Sequence, residues 1–314
     1  MKSIQIQSFG TSEVLALVDV PQPTLKQGQV LVKVKFAGVN PKDVMVRKGK
    51  LKWFSGSKFP QGLGHDFSGI VEASKSDKFK TGDRVFGMTN TWKTSAYSQF
   101  VAVPATEMAL MPPNMSFEQG AAIPLAALTS LQAIRDLGHI KTKQNVCING
   151  AAGGVGTFAI QIAKILGAKV TALASAKNHE LCKSLGADQC LDYHNLDLED
   201  LAHKKHFHLY YDVFGNQSLD KIKVILTAEG LMVTTIPNLK NVWQSVRTYF
   251  WPHGRHAALI IVKSKAKDLE LLAKWFAEGK LKAVIEQTFT LENVALAHQA
   301  IETKHTRGKI VLEV

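Results

Sequence analysis

The feature that most constrains this chain is residues 146–165, where a short apolar run leads through three glycines into an apolar helix. Val146-Cys147-Ile148 suits a strand buried on both faces, and Gly150, Gly153 and Gly156 recur at every third position. Val155, Phe158, Ala159, Ile162 and Ala163 then continue at helical spacing. Such glycines permit positive φ and let backbone N–H groups approach an anion, whose charge the positive end of the helix dipole favours. The order of strand, glycine turn and helix is that of a pyrophosphate-binding turn for a dinucleotide, with Gly150, Ala152, Gly153, Gly154 and Val155 as the expected contacts. A turn between two buried elements with no ligand also selects glycine, so the neighbouring strand has to be weighed with the motif.

That next strand bears on which dinucleotide. Residues 169–174 (KVTALA) form a second apolar run after Gly167, and Ser175-Ala176-Lys177 stand where an NAD site ends in Asp or Glu for the ribose 2′-hydroxyl. A serine hydroxyl and a lysine ammonium instead suit a 2′-phosphate through charge-assisted hydrogen bonds, which favours NADPH. Tyr193 adds a phenol to the same expected pocket; the alternative for Lys177 is a solvated surface lysine.

Around this motif the chain divides by pattern. Residues 1–118 hold short strands at residues 4–6, 30–36, 67–72 and 99–103, with the alternating N-terminus reading as an edge strand. From residue 119 helix and strand alternate: a helix over 120–137, the strand at 146, helices to 166 and over 181–185, and strands at 170, 209–214, 231–236 and 258–262. Repeated βα units argue for a doubly wound parallel sheet over residues 119–264, with ligand at the carboxyl ends of the strands. An amphipathic helix over 266–278, a helix over 291–303 and a final strand over 309–314 are assigned back to the β-rich lobe, which thus comprises 1–118 and 265–314.

A length of 314 residues with a 46% hydrophobic share suits two globular domains. The N-terminus lacks the apolar core of a secretory signal, and no apolar run approaches the roughly 20 residues of a membrane span. With three cysteines, Cys147, Cys182 and Cys190, free thiols in a reducing compartment are expected, hence a cytoplasmic protein. The net charge is +12, and between Lys33 and Lys58 eight basic residues face one acidic residue, interleaved with Trp53, Phe54 and Phe59. Such a face fits nucleic acid, an anionic membrane or a solvated surface beside an anionic cofactor. No nucleic-acid-binding signature accompanies it, so the solvated surface is the expectation, with no specific nucleic acid as partner.

The motifs resemble those of the medium-chain dehydrogenase/reductase superfamily, in its zinc-free quinone oxidoreductase branch, and most of all the plastid-envelope type. The resemblance rests on Gly38-Val39-Asn40-Pro41-Lys42-Asp43, Gly64-His65-Asp66 with Gly69, Gly82-Asp83-Arg84-Val85, residues 124–129 (PLAALT), the glycine turn, Leu185-Gly186-Ala187-Asp188 and Gly308-Lys309-Ile310-Val311. It covers nearly the whole chain. It implies a Rossmann domain plus a β-rich GroES-like catalytic lobe, a dimer, and reduction of quinones or of the C=C bond of α,β-unsaturated carbonyls with NADPH.

Zinc alcohol dehydrogenases of the superfamily carry two catalytic cysteines where this chain has Asn40 and the residues 124–126, so two thiolate ligands are missing. His65 and Asp66 alone cannot complete a site of three protein ligands plus water. Without metal, charge developing on a substrate oxygen needs a hydrogen-bond donor. The resemblance implies that role for Asn40, beside the nicotinamide, with Lys42 and Arg47 as further candidates; Asn40 as a turn cap before Pro41 is the plainer alternative. Many relatives carry a tyrosine two residues after Asp43, where Met45 stands, so proton delivery from water is expected. The resemblance also implies cofactor contacts at Thr129, Phe214, Ile236, Ile261, Val262 and Lys309. Residues 241–255, with Trp243, Tyr249, Phe250, Trp251, Arg247 and Arg255, read as an aromatic loop that covers a flat substrate or a dimer contact. A reading of another class is a noncatalytic NADPH-binding protein whose basic face binds RNA or a membrane.

Overall fold

The computed structural model describes residues 1–90, 95–237, 239–250 and 254–314, and of residues 239–241, 249 and 250 the backbone alone. The chain forms two compact units, Met1–Leu128 with Lys263–Val314, and Thr129–Val262.

The second unit is a six-stranded parallel sheet. In spatial order its strands are Gln189–Leu191, Lys169–Leu173, Asn145–Asn149, Phe207–Asp212, Leu226–Thr234 and His256–Leu259, the 3-2-1-4-5-6 order of a Rossmann domain. The order reverses beside Asn145–Asn149, the strand that feeds the glycine turn. Val146, Cys147 and Ile148 are fully buried, as a central parallel strand covered on both faces requires. Each such side chain contributes about 1.5–3 kcal/mol by leaving water.

The first unit contains a seven-stranded sheet in which Gln29–Val39 is the hub. It pairs antiparallel with Asp66–Ser74, Phe100–Pro104 and the C-terminal strand Lys309–Glu313. The final strand thus returns to the β lobe, as the sequence suggests. A separate three-stranded sheet places Lys2–Ile6 between Leu15–Asp19 and Gln61–Gly62, so the alternating N-terminus is a central strand and not an edge.

Several expected boundaries shift for local reasons. The expected helix over 120–137 is three pieces: Phe117–Ala122, Pro124–Leu131 and a π-helical stretch at Gln132–Leu137. Pro124 lacks the N–H to continue the first piece, and Gly138 N–H reaches Ala133 O at 2.9 Å in the wider π pattern. The last Rossmann strand is His256–Leu259, three residues short of the expected end, so Ile261 and Val262 lie past it. Residues 241–255 do not form a loop: Leu239–Phe250 is a helix, while Trp251 lies outside the described residues. All three cysteines are free thiols, and no described helix is long and apolar enough to cross a membrane.

Candidate active site

In the Rossmann unit the three glycines of the turn have three different jobs. Gly150 leaves the strand at φ +81°, a conformation that side chains disfavour. A Cβ at Gly156 would stand 2.2 Å from Gly150 O, so only hydrogen lets the helix pack on its own turn. A Cβ at Gly153 would meet only one atom, Gly150 O at 3.5 Å, so the middle glycine keeps the turn's outer surface clear. Ala151, Ala152 and Gly156 are buried while Gly153, Gly154 and Val155 are partly open, and Gly154–Ile165 begins there with no side-chain cap. The first N–H groups of that helix have no intrahelical acceptors and are available to an anion.

One strand over, Leu173 pairs with Leu191, which brings Ser175 and Tyr193 to the same edge of the sheet, two residues beyond the pair. Ser175 is half-buried and Lys177 exposed on the short 3-10 turn Ala176–Asn178. Asn178 Nδ2 donates to Ser175 Oγ at 3.1 Å, leaving the serine's own proton to donate outward. The glycine motif does not point to Asn178; its spacing of three from a serine in a turn is the available signal. Its Oδ1 is buried without a hydrogen-bond partner. A carboxylate also stands at this edge, Asp192, but His194 donates to it through its backbone N–H at 3.0 Å and through Nδ1 at 2.8 Å. Those hydrogen bonds hold Asp192 below the usual carboxylate range. Tyr193 packs on the His194 ring at 4.2 Å between centroids. Thr129 is buried, Phe214 and Ile261 are exposed, and Ile236 and Val262 are half-buried.

In the β-rich unit, strand register builds a second constellation. Ile310 faces Val39 and Gly38 faces Asp66, so Lys309, Asn40 and Asp66 meet at adjoining strand ends. All three are buried. Lys309 Nζ donates to Asn40 Oδ1 and lies 3.6 Å from Asp66 Oδ2. Asn40 Nδ2 donates to Asp66 Oδ2 at 3.0 Å and to Gly38 O at 3.4 Å, and Leu125 N–H donates to Asp66 Oδ1 at 2.9 Å. Burial pushes the Asp66 carboxyl up and the Lys309 ammonium down, and each holds the other charged.

The cluster extends through Asp43. Its Oδ2 accepts from Asn40 N–H at 2.9 Å and from the Tyr97 hydroxyl at 2.9 Å, and its Oδ1 accepts from His65 Nδ1 at 2.8 Å. Burial opposes the Asp43 charge, but the His65 and Tyr97 hydrogen bonds and the nearby histidines outweigh it, leaving Asp43 below its ordinary value. Beyond Tyr97, Arg47 is fully buried and bonds to Gly10 O, His298 Nδ1 and Glu302. Burial and the Arg47 charge hold His298 down to about 4.

These placements bear on three expectations. Asn40 commits its amide to Asp66, Gly38 and Lys309. Arg47 is a buried cation bonded within its own unit, and not a surface charge. Lys309 is an internal counter-ion to Asp66. Lys42 is half-buried, and burial lowers its ammonium against the fields of Asp43 and Asp66. The donor set does not suit zinc, because the unit that holds His65 and Asp66 contains no cysteine and Asp66 is already paired with an ammonium.

The comparisons with known proteins agree with this architecture. Residues 26–113 match the alcohol dehydrogenase GroES-like domain and residues 185–312 the zinc-binding dehydrogenase model. The chain is 33% identical to the tomato (Solanum lycopersicum) 2-methylene-furan-3-one reductase, covering 99% of this chain and 79% of that one. It is 30% identical to the chloroplast envelope quinone oxidoreductase homologue of Arabidopsis thaliana, over 100% and 98% of the two chains. The chain belongs to the quinone oxidoreductases of the medium-chain dehydrogenase/reductase superfamily. Among solved structures, the Coxiella burnetii quinone oxidoreductase superposes with a TM-score of 0.90 at 34% identity, covering 100% of this chain and 99% of that one. The Escherichia coli quinone oxidoreductase, solved with NADPH, gives 0.86 at 26% identity, with both chains fully covered.

Proposed function

We propose that this oxidoreductase is zinc-independent and uses NADPH to reduce quinones or the C=C bond of α,β-unsaturated carbonyls. The observation that carries the reading is the glycine turn, whose uncapped helix start and open middle glycine fit a pyrophosphate. In this reading the N–H groups of residues 154–156 hold the pyrophosphate, and Ser175 and Lys177 hold the 2′-phosphate by charge-assisted hydrogen bonds. The bound nicotinamide supplies a hydride. Lys42 is the proposed donor to the oxygen on which negative charge develops, and Asn40 is a positioning residue at the start of the helix that carries Lys42. Met45 offers no phenolic proton, so water supplies the proton in this account. Zinc independence is supported by a donor set without thiolates. The relatives named for a quinone and for a furanone supply the two substrate classes. A homodimer and a cytoplasmic location, in keeping with the free thiols, complete the proposal.

The test is NADPH oxidation against a panel of quinones, alkenals and cyclic enones, before and after exhaustive chelation. The reading expects turnover with at least one class, unchanged by chelation. Turnover restored only by added zinc would overturn metal independence, and no turnover with any acceptor would overturn the activity.

A further inference from the structure

The backbone that leads from Ser175 into the helix His179–Ser184 is tied down within the Rossmann unit. Asn178 N–H donates to Ser175 O at 2.9 Å, His179 Nε2 donates to Ala174 O at 3.2 Å, and Asp192 accepts from the Ala176 N–H. A turn held in this way leaves one choice to its side chains, the direction of the Ser175 hydroxyl proton, which rotates to suit its neighbours. Asn178 makes that choice. Its amide is more than nine-tenths buried, Nδ2 donates to Ser175 Oγ at 3.1 Å, and Oδ1 has no hydrogen-bond partner. Turned over, the amide would take the serine proton on Oδ1; as it stands, Oγ receives a hydrogen bond and its own proton is directed elsewhere. A buried acceptor left unmatched is uncommon and calls for an explanation.

We propose that Asn178 is a positioning residue for cofactor selection, which fixes the half-buried Ser175 hydroxyl as a donor toward the ribose 2′ position. The inference rests on the NADPH reading above and deepens it. An ionised 2′-phosphate can only accept, so it gains a charge-assisted hydrogen bond from a serine proton that points outward and none from one that points inward. A ribose 2′-hydroxyl both donates and accepts, so NADH fits either direction. The hydrogen bond that Oγ receives also polarises its own O–H and strengthens the one it gives. The selectivity therefore lies in the direction of one proton, set by a residue that acts through Ser175. An aspartate at position 178 would reverse the arrangement, because a carboxylate accepts the serine proton and brings a negative charge toward the phosphate.

The experiment titrates the full protein with NADPH and with NADH by fluorescence, for wild type, Asn178→Ala, Asn178→Asp, Ser175→Ala and Ser175→Ala/Asn178→Ala, with Tm recorded on every sample. Asn178→Ala is expected to weaken NADPH about fivefold and Asn178→Asp at least about thirtyfold, with NADH held within about twofold in both. On the Ser175→Ala background the Asn178→Ala change should cost NADPH less than about twofold more, since its effect passes through the hydroxyl. An Asn178→Ala loss that persists in full without the serine hydroxyl would overturn the proposal. So would variants that weaken both nucleotides alike, or a lowered Tm with the ratio of the two affinities unchanged, either of which makes Asn178 a turn residue alone. A wild-type preference for NADPH that no change at position 178 alters would overturn this inference and leave the NADPH reading standing, whereas equal wild-type affinities would overturn that reading and the inference with it.

Discussion

The glycine turn and the Asn40–Asp66–Lys309 cluster are both polar constellations at strand ends, yet they face opposite ways. In the turn, backbone N–H groups and the Ser175 and Lys177 side chains stand at a partly open edge with their donors uncommitted within the unit. In the cluster nearly every donor is already matched to an acceptor inside the protein, and the members are buried. A buried, satisfied network fixes geometry, whereas an open row of donors awaits a ligand. In the proposed reading the second region positions and the first binds, although sequence resemblance credits both with cofactor contact.

The largest effect that would break this contrast is on stability. Lys309→Met leaves Asp66 buried with no cation, and breaking a buried pair from one side costs about 3–5 kcal/mol. Adding Asp66→Asn to Lys309→Met should recover a large part of the loss in a denaturation cycle. Recovery of nothing would mean that Lys309 acts outside this pair. Next comes catalysis: Lys42→Ala should lower kcat by about 2.7–4 kcal/mol of barrier with little change in NADPH affinity, whereas Asn40→Ala should lose stability first. A Lys42 variant with unchanged kcat would return the donor role to backbone groups or to the ribose hydroxyls.

A pH measurement sharpens the same distinction. His298 falls from an ordinary 6.5 to about 4 through burial and the Arg47 charge, so the unfolded chain binds the extra proton between those values. Its contribution to stability is therefore present above pH 6.5 and is lost as the pH falls toward 4, to the extent of about 3 kcal/mol. Asp66 works in the opposite sense above its ordinary value, because its folded carboxyl is raised. The difference between wild type and His298→Gln isolates the histidine: urea midpoints should converge as pH drops from about 7 to about 4. Parallel curves would place the histidine in contact with water.

How far the sequence alone reveals these regions depends on how local each is. The glycine turn is encoded within about a dozen consecutive residues, and its strand, turn and helix stand where the periodicity puts them. The buried cluster depends on Lys309 meeting Asn40 across a separation of 269 residues, which only strand register delivers. No motif shows that Asn40 spends its amide internally or that Arg47, in a lysine-rich stretch, turns inward to His298. The helix Leu239–Phe250 reads as a loop in sequence because its aromatics suggest a lid, while Trp243 and Val246 lie three apart on an exposed face. Asn178 differs from the cluster: its partner Ser175 is only three residues away, so the spacing within the turn is a local signal that the glycine motif does not include.

The most direct test of the account is a titration of wild type and Lys177→Ala with NADPH and with NADH, with thermal unfolding recorded on the same samples. An open site that holds the 2′-phosphate through Lys177 predicts a wild-type preference for NADPH and a loss of about 1.5–3 kcal/mol in the variant for NADPH alone, at unchanged Tm. Equal wild-type affinities for the two nucleotides, or a variant that loses both alike, would contradict it.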